Sequence, residues 1–392
     1  MKRALVIHPV LSFQAGGEFL CINVCAALQA MGYRVSLASD VFRPSDFERM
    51  YGIGGVMEKC EHIQIPQFTQ HFNRFMIPQR LLYSQRVWPM FADAEPDIVF
   101  STQSSPFIIP QRIFHFVYNV SDVYGYPPAA AKLDLRLRGS VIRRLYSSML
   151  KEWGGLLWRK RGESKDWFFA VGTLILADLR ARGYLSSSLV FPPCRIVFKP
   201  SFPKKKQVVQ AARMIPDKGL ERYLDIASRL PDYTFHLIGR DSPLLRRLYP
   251  GYSKKILSSL PRNVVYVDTL VGERPELLGE SKIYLYTGNE RGIGLAVVEA
   301  LSAGCVPFSP PSVGAVDIIN ASKFGVIYRN AEEAVTRIRS VLEEEHAEAK
   351  VLAMSEKARQ FSPESFQQWV RNAVGFFEAQ SRAASPLPSH RE

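Results

Sequence analysis

At 392 residues the chain exceeds what one hydrophobic core usually serves, and its 47% hydrophobic content is enough to fill two domains. No apolar stretch reaches the roughly 18 to 20 residues that span a bilayer, and the opening Met1-Lys2-Arg3-Ala4-Leu5-Val6-Ile7-His8-Pro9 is too short for a signal peptide. The formal charge of +13 is concentrated, because residues 131–165 hold ten Lys or Arg against three acids.

The first elements read as a βαβ unit. Arg3 to Ile7 is an apolar strand, a turn Phe13-Gln14-Ala15-Gly16-Gly17-Glu18 follows, and a helix runs from about Phe19 to Met31. Gly32 stops that helix, and Arg34 to Ala38 returns as a strand. Asp97 to Ser101 and Ile113 to Tyr118 read as later strands, with His115 in the middle of the second. Residues 131–165 interleave basic residues with Leu135, Ile142, Met149, Trp153 and Trp158 at spacings that form an apolar helix face beside a basic one. Two readings stand for this region: an amphipathic surface for an anionic membrane, or a helical pair packed on its own domain with a solvated basic side. Nucleic acid is disfavoured, since the run carries no recognised reading module. Trp167 to Val171 reads as a strand, Leu174 to Arg182 as a helix, and Leu189 to Pro193 closes this half.

Lys199 to Lys206, with Pro200, Pro203 and three consecutive lysines, breaks both periodicities and reads as a linker. It divides an N-terminal domain, 1–198, from a C-terminal domain, 207–380. The second series alternates again: strand Val208 to Ala212, helix Gly219 to Leu230, strands Thr234 to Ile238, Val264 to Val267 and Ile283 to Tyr286, and helix Leu295 to Ala303. Gly325 to Tyr328 and a helix from Ala331 to Glu345 follow, and the Ser-, Pro- and His-bearing tail 383–392 reads as disordered. The five cysteines (Cys21, Cys25, Cys60, Cys194, Cys305) are odd in number and lack a Cys-x-x-Cys pair, which argues for a reducing, cytoplasmic compartment and against structural zinc.

Two segments of the second series carry chemistry. Ala212-Arg213-Met214-Ile215-Pro216-Asp217-Lys218-Gly219 sets two cations around a loop that leaves a strand and opens a helix, where they can neutralise a diphosphate without a metal. Asn289-Glu290-Arg291-Gly292-Ile293-Gly294-Leu295 leads into a helix bearing Glu299. A carboxylate one turn into that helix can accept from the two vicinal hydroxyls of a ribose, and the glycines let a phosphate or sugar approach the backbone. Asp93-Ala94-Glu95-Pro96-Asp97 reads as a polar turn, so no obligatory Mg²⁺ or Mn²⁺ is expected. No Gly-x-Ser-x-Gly elbow, Walker loop or dinucleotide fingerprint is present.

Ile293-Gly294-Leu295, Glu299 and Ala300-Leu301-Ser302-Ala303-Gly304-Cys305-Val306-Pro307, preceded by Arg213 and Lys218, resemble the donor-binding signature of glycosyltransferase family 4. The resemblance implies an α/β fold of the GT-B type, two Rossmann-like βαβ domains facing across a cleft. It also implies a retaining, metal-independent hexosyltransferase that uses a UDP- or GDP-sugar as substrate and needs no cofactor. By that resemblance Arg213 and Lys218 hold the diphosphate, Glu299 the ribose, and Gly16 and Gly17 approach the donor phosphates. Gly292, Ile293, Gly294 and Leu295 form the donor turn, while Glu290 and His115 contact the transferred sugar; His115, in mid-strand, reads equally as an ordinary packed histidine. Arg291 rather than Glu290 stands at the family's usual spacing from Glu299, so either the loop carries one extra residue or the first carboxylate is absent. Asp317 falls near a family acid but is assigned no chemistry. The acceptor is expected to be a hydroxyl, on a lipid-linked glycan met at the inner membrane face through 131–165. The alternative is a catalytically inactive subunit of the same fold that binds a membrane or a partner.

Overall fold

The computed structural model describes residues 1–11, 16–65, 89–91, 94–102, 112–118, 166–181, 183–196, 198–269, 271–289, 293–311, 314–345 and 347–384. The basic stretch 131–165 lies outside them. The chain divides into two compact units: Met1–Val171 with Ile175–Pro193 and Pro363–Glu392, and Gly172–Leu174 with Cys194–Ser362.

The first unit is built on a parallel sheet of β1 (Arg3–Ile7), β2 (Arg34–Ser39), β3 (Glu61–Gln64), β4 (Ile98–Ser101), β5 (Ile113–Val117), β6 (Trp167–Ala170) and β7 (Ser187–Leu189). Their spatial order is β3-β2-β1-β4-β5-β6-β7. Its described helices include α1 (Gly16–Ala30), α2 (Pro44–Tyr51), α3 (Gly54–Glu58) and α4 (Thr173–Ala181). β1 is apolar without alternation because both of its faces are covered: Ala4 and Val6 enter one core cluster, Leu5 and Ile7 another. Both β2 and β4 pair with β1, so the direction of sheet growth reverses there and a crevice opens at the carboxyl ends of β1 and β4.

The second unit repeats the plan. Its parallel strands are β8 (Lys205–Ala211), β9 (Thr234–Ile238), β10 (Val264–Val267), β11 (Ser281–Leu285), β12 (Val306–Ser309) and β13 (Val326–Ile327), in the order β10-β9-β8-β11-β12-β13. Its helices are α5 (Leu220–Ser228), α6 (Pro243–Leu248), α7 (Tyr252–Ser258), α8 (Pro275–Glu280), α9 (Leu295–Ser302), α10 (Ala315–Ser322), α11 (Ala331–Glu343) and α12 (Glu348–Ala358). Here the reversal falls between β8 and β11.

Lys199–Lys206 differs from its sequence reading. The units change at Pro193 and Cys194, and Lys205 already begins β8. The lysines that break the apolar pattern are anchored: Lys204 donates to the carbonyls of Gly279 and Ala303, Lys205 pairs with Glu280 and Lys206 with Glu343.

The last helix, α13 (Pro363–Ala384), also departs from the expected boundary at 380 and runs past the point where the tail was expected to begin. It belongs to the first unit, where Phe366, Val370, Val374 and Phe377 join the core. Phe377 lies 4.6 Å from Phe114 and 5.0 Å from Trp167, ring centre to ring centre. The stripe of apolar residues dictates that this helix buries one face; the sheet that receives it is fixed only by tertiary contacts. Phe377→Ala is expected to lower stability by about 3–4 kcal/mol in urea titration, against less than about 0.5 kcal/mol for its exposed neighbour in Phe376→Ala.

Candidate active site

The carboxyl edge of β8 and β11 is where an open parallel sheet of this order offers a ligand crevice. The chain leaves β8 through Ala212–Gly219 and leaves β11 through Tyr286–Gly294, and the two loops meet backbone to backbone. Gly219 has φ +62°, and a Cβ on it would lie 2.1 Å from the Thr287 carbonyl oxygen. Only glycine satisfies both the left-handed backbone and the contact. Beneath them, the buried Thr287 hydroxyl lies 2.9 Å from Gln210 Oε1 and 3.0 Å from the Lys218 carbonyl, to which Gln210 Nε2 also donates at 3.3 Å. Asn289 N donates to Asp217 O at 2.9 Å, fastening the far ends of the loops.

Arg213 and Lys218 are carried on the first loop, Arg213 exposed and Lys218 half-buried. The second loop ends at Ile293 and Gly294, and Leu295 opens α9. Gly294 sits tight there: a Cβ would stand 3.4 Å from Val297 and 3.5 Å from Ala315. Cys194 Sγ donates to the Leu295 carbonyl at 3.5 Å and pins the same helix end. Glu299 follows one turn later. It retains some solvent exposure, yet desolvation pushes its carboxyl up to about 7, with the charge of Arg195 pulling the other way. Glu290 and Gly292 lie outside the described residues.

In the first unit Gly16 and Gly17 open α1, at the end of the loop that leaves β1. Beside them stands a group that the sequence reading passed over. His8 directly follows β1, is 2% exposed, and shares a hydrogen bond of 2.9 Å with Thr102 Oγ1 beyond β4. Its Nε2 lies 3.7 Å from Glu18 Oε1. Burial works against its charge, but Cys21 and Glu18 outweigh that and push His8 up to about 9. Burial likewise opposes ionisation of Cys21, whose thiol is drawn down by Cys25 and His8. The signal for His8 was available, since it is the first polar residue after a buried strand.

His115 is placed differently from the reading that gave it a part on the transferred sugar. It is 3% exposed in the middle of β5, with Nε2 3.3 Å from Asp166 Oδ2 and its ring stacked on Phe168. Asp166 precedes β6 and also accepts from Ile113 N, so the pair lies toward the amino edge of the sheet, away from the ligand crevice. A structural hydrogen bond between His115 and Asp166 accounts for it.

Residues 195–361 match the family model of glycosyl transferases group 1, a span that nearly coincides with the long segment of the second unit. They form a group 1 glycosyl transferase domain. No curated protein matches the sequence. Among solved structures, a glycosyltransferase from Rickettsia africae is 15% identical with a TM-score of 0.65 over 96% of this chain and 98% of that one. Sucrose-phosphate synthase from Thermosynechococcus elongatus is 14% identical with a TM-score of 0.66, over 98% of this chain and 100% of that one. HepE from Anabaena, solved with UDP and glucose, is 12% identical with a TM-score of 0.65, over 96% and 100%. These likenesses give the fold of both units, Rossmann-like α/β of the GT-B type.

Within the group 1 domain's unit, Asp317 has a partner that sequence did not reveal. It is 7% exposed and accepts from the backbone N–H of Thr173 at 2.7 Å and from the Thr173 hydroxyl. The contact between Gly219 and Thr287 generates a sharper expectation. Gly219→Ala should lower stability by about 2–3 kcal/mol in denaturant titration, because either the loop or the end of β11 must move. An unchanged midpoint would show that the two loops are not held together at this point.

Proposed function

We propose that the protein is a retaining glycosyltransferase that moves a hexose from a UDP- or GDP-sugar to a hydroxyl acceptor without an obligatory metal. The observation that carries this reading is the junction at β8 and β11, which sets the loop bearing Arg213 and Lys218 against the loop that leads into the helix bearing Glu299. A likeness to HepE, which has also been solved with UDP-glucose, supports a nucleotide-sugar donor.

In this reading Arg213 and Lys218 hold the diphosphate, and Glu299 accepts from the ribose hydroxyls. The bond between the anomeric carbon and the diphosphate oxygen breaks as the acceptor oxygen bonds to that carbon on the same face. The acceptor's proton passes to the departing diphosphate, whose growing charge the two cations offset. Gly16 and Gly17 approach the donor phosphates, Ile293, Gly294 and Leu295 form the donor turn with Gly292, and Glu290 positions the sugar. The acceptor is a lipid-linked glycan, met at the cytoplasmic membrane face through the basic, Trp-bearing region 131–165.

Calorimetric titration with UDP and with GDP in the presence of a chelator tests the donor site. One nucleotide should bind, and Arg213→Ala or Lys218→Ala should each weaken it by about tenfold or more. Absence of binding by the folded wild type would sink the transferase reading in favour of an inactive subunit.

The raised carboxyl of Glu299 adds a pH signature. Ribose hydroxyls donate best to the ionised form, so nucleotide affinity should rise between pH 6 and 8 in the wild type by more than in Glu299→Gln. Folding responds with the opposite sign. A carboxyl raised by the fold contributes most stability at low pH and loses it as pH climbs through about 7, so Glu299→Gln should gain relative stability at pH 8. Parallel pH profiles for the two proteins would remove Glu299 from the ribose site.

A further inference from the structure

A cavity of 470 Å³ opens in the second unit beyond the carboxyl ends of β11, β12 and β13. Arg222, Arg329, Asn289, Asn330, Pro310 and Tyr328 line it. We propose that it binds an anionic substituent, a carboxylate or a phosphate, carried by one of the sugar substrates; the identification of the carrier as a substrate rests on the transferase reading.

The charges decide the ligand class. Several surface cations elsewhere in this unit meet carboxylates, among them Lys205 with Glu280, Arg229 with Asp225, Arg240 with Glu273 and Lys255 with Glu221. Among the described residues neither Arg222 nor Arg329 has a carboxylate on its guanidinium. Arg222 is half-buried, and its positive charge acts on the Tyr328 hydroxyl, which donates to the Tyr286 carbonyl at 2.8 Å. Tyr328 is 1% exposed, so its bond to Tyr286 fixes the wall against which Arg222 stands, and a guanidinium carries five donors that the cavity can use. Among the described residues, the acid bonded to this rim is already engaged: Glu333 accepts from the backbone N–H of Arg329 at 2.9 Å, while its own N–H donates to Asn330 Oδ1 at 2.8 Å. That reciprocal cap occupies the Asn330 oxygen and leaves its amide NH₂ as a donor. The walls therefore present cations and amide donors beside proline and tyrosine surface. A neutral sugar hydroxyl cannot offset two arginines, whereas one oxyanion can accept from both.

The cavity also adjoins the proposed donor loops. Arg222 N donates to the Gly219 carbonyl, one residue beyond Lys218, and Asn289 N to the Asp217 carbonyl. A group held here lies beside the sugar that those loops would present.

Titration calorimetry of the full chain with glucose 6-phosphate, glucuronate and neutral glucose tests the assignment. At least one charged sugar should bind while glucose does not, and the tighter of the two names the oxyanion. Arg222→Ala and Arg329→Ala should each weaken it about tenfold or more and leave UDP or GDP affinity at the wild-type level. Arg329 is exposed, so its variant keeps the test open if Arg222→Ala fails to fold. No binding of either charged sugar by folded wild type, or equal binding by wild type and Arg329→Ala, overturns the proposal. It is overturned as well if these substitutions weaken the nucleotide as much as Arg213→Ala does. Charged-sugar binding that needs both arginines, in a protein that binds no nucleotide, would uphold the anion site and sink the transferase reading instead.

Discussion

The contact of Gly219 with the Thr287 carbonyl is the constraint on which the second unit's site depends. A parallel sheet that grows outward from β8 in both directions leaves a gap between the loops after β8 and β11. Unfilled, that gap would be lined by unpaired backbone groups. Here it is closed by bringing the loops into contact at Gly219, which has no Cβ, and supporting them from below with Gln210 and Thr287, both buried. The polar atoms beneath the junction satisfy one another, so the loops are rigid where they cross and their outer residues are set at fixed positions.

From that junction the electrostatic character of the edge follows. Cations stand on the β8 side, at Arg213 and Lys218, and a desolvated carboxylate stands on the helix that follows β11, at Glu299. A ligand with a diphosphate at one end of a ribose presents the complementary order of charge and hydroxyl. The first unit uses its own reversal point differently. His8, Glu18, Cys21 and Thr102 meet there in a closed polar cluster. Burial opposes charge on both His8 and Cys21, yet each group favours the other's charged form.

Legibility differed by residue. The strand, turn and helix start around Arg213, Lys218, Ile293, Gly294, Leu295 and Glu299 were readable because each lies within a short span whose order reflects local geometry. β9 and β10 were readable from their apolar runs bounded by turn residues, and the observed strands keep the expected limits. The linker at Lys199–Lys206 was misread because lysines and prolines signal solvent only in the absence of partners. Lys204 finds two carbonyls and Lys205 and Lys206 find carboxylates, all supplied by distant segments. His115 stayed undecided between a packed and a sugar-contacting histidine for a related reason. A histidine in a strand carries no sign of which edge of the sheet its ring faces, and Asp166, which decides it, is 51 residues away.

The sequence by itself determined two α/β series, their hydrophobic strands and the local motif around Glu299, because periodicity, turn chemistry and helix starts are set by neighbours in the chain. Tertiary structure alone decided that α13 returns to the first unit and that Arg222 and Arg329 share a cavity. It alone placed His8 against Glu18 and Thr102, and Gly219 against Thr287. Each of these joins residues that no local pattern links. Which partner meets a side chain depends on strand order, and strand order is a property of the whole sheet.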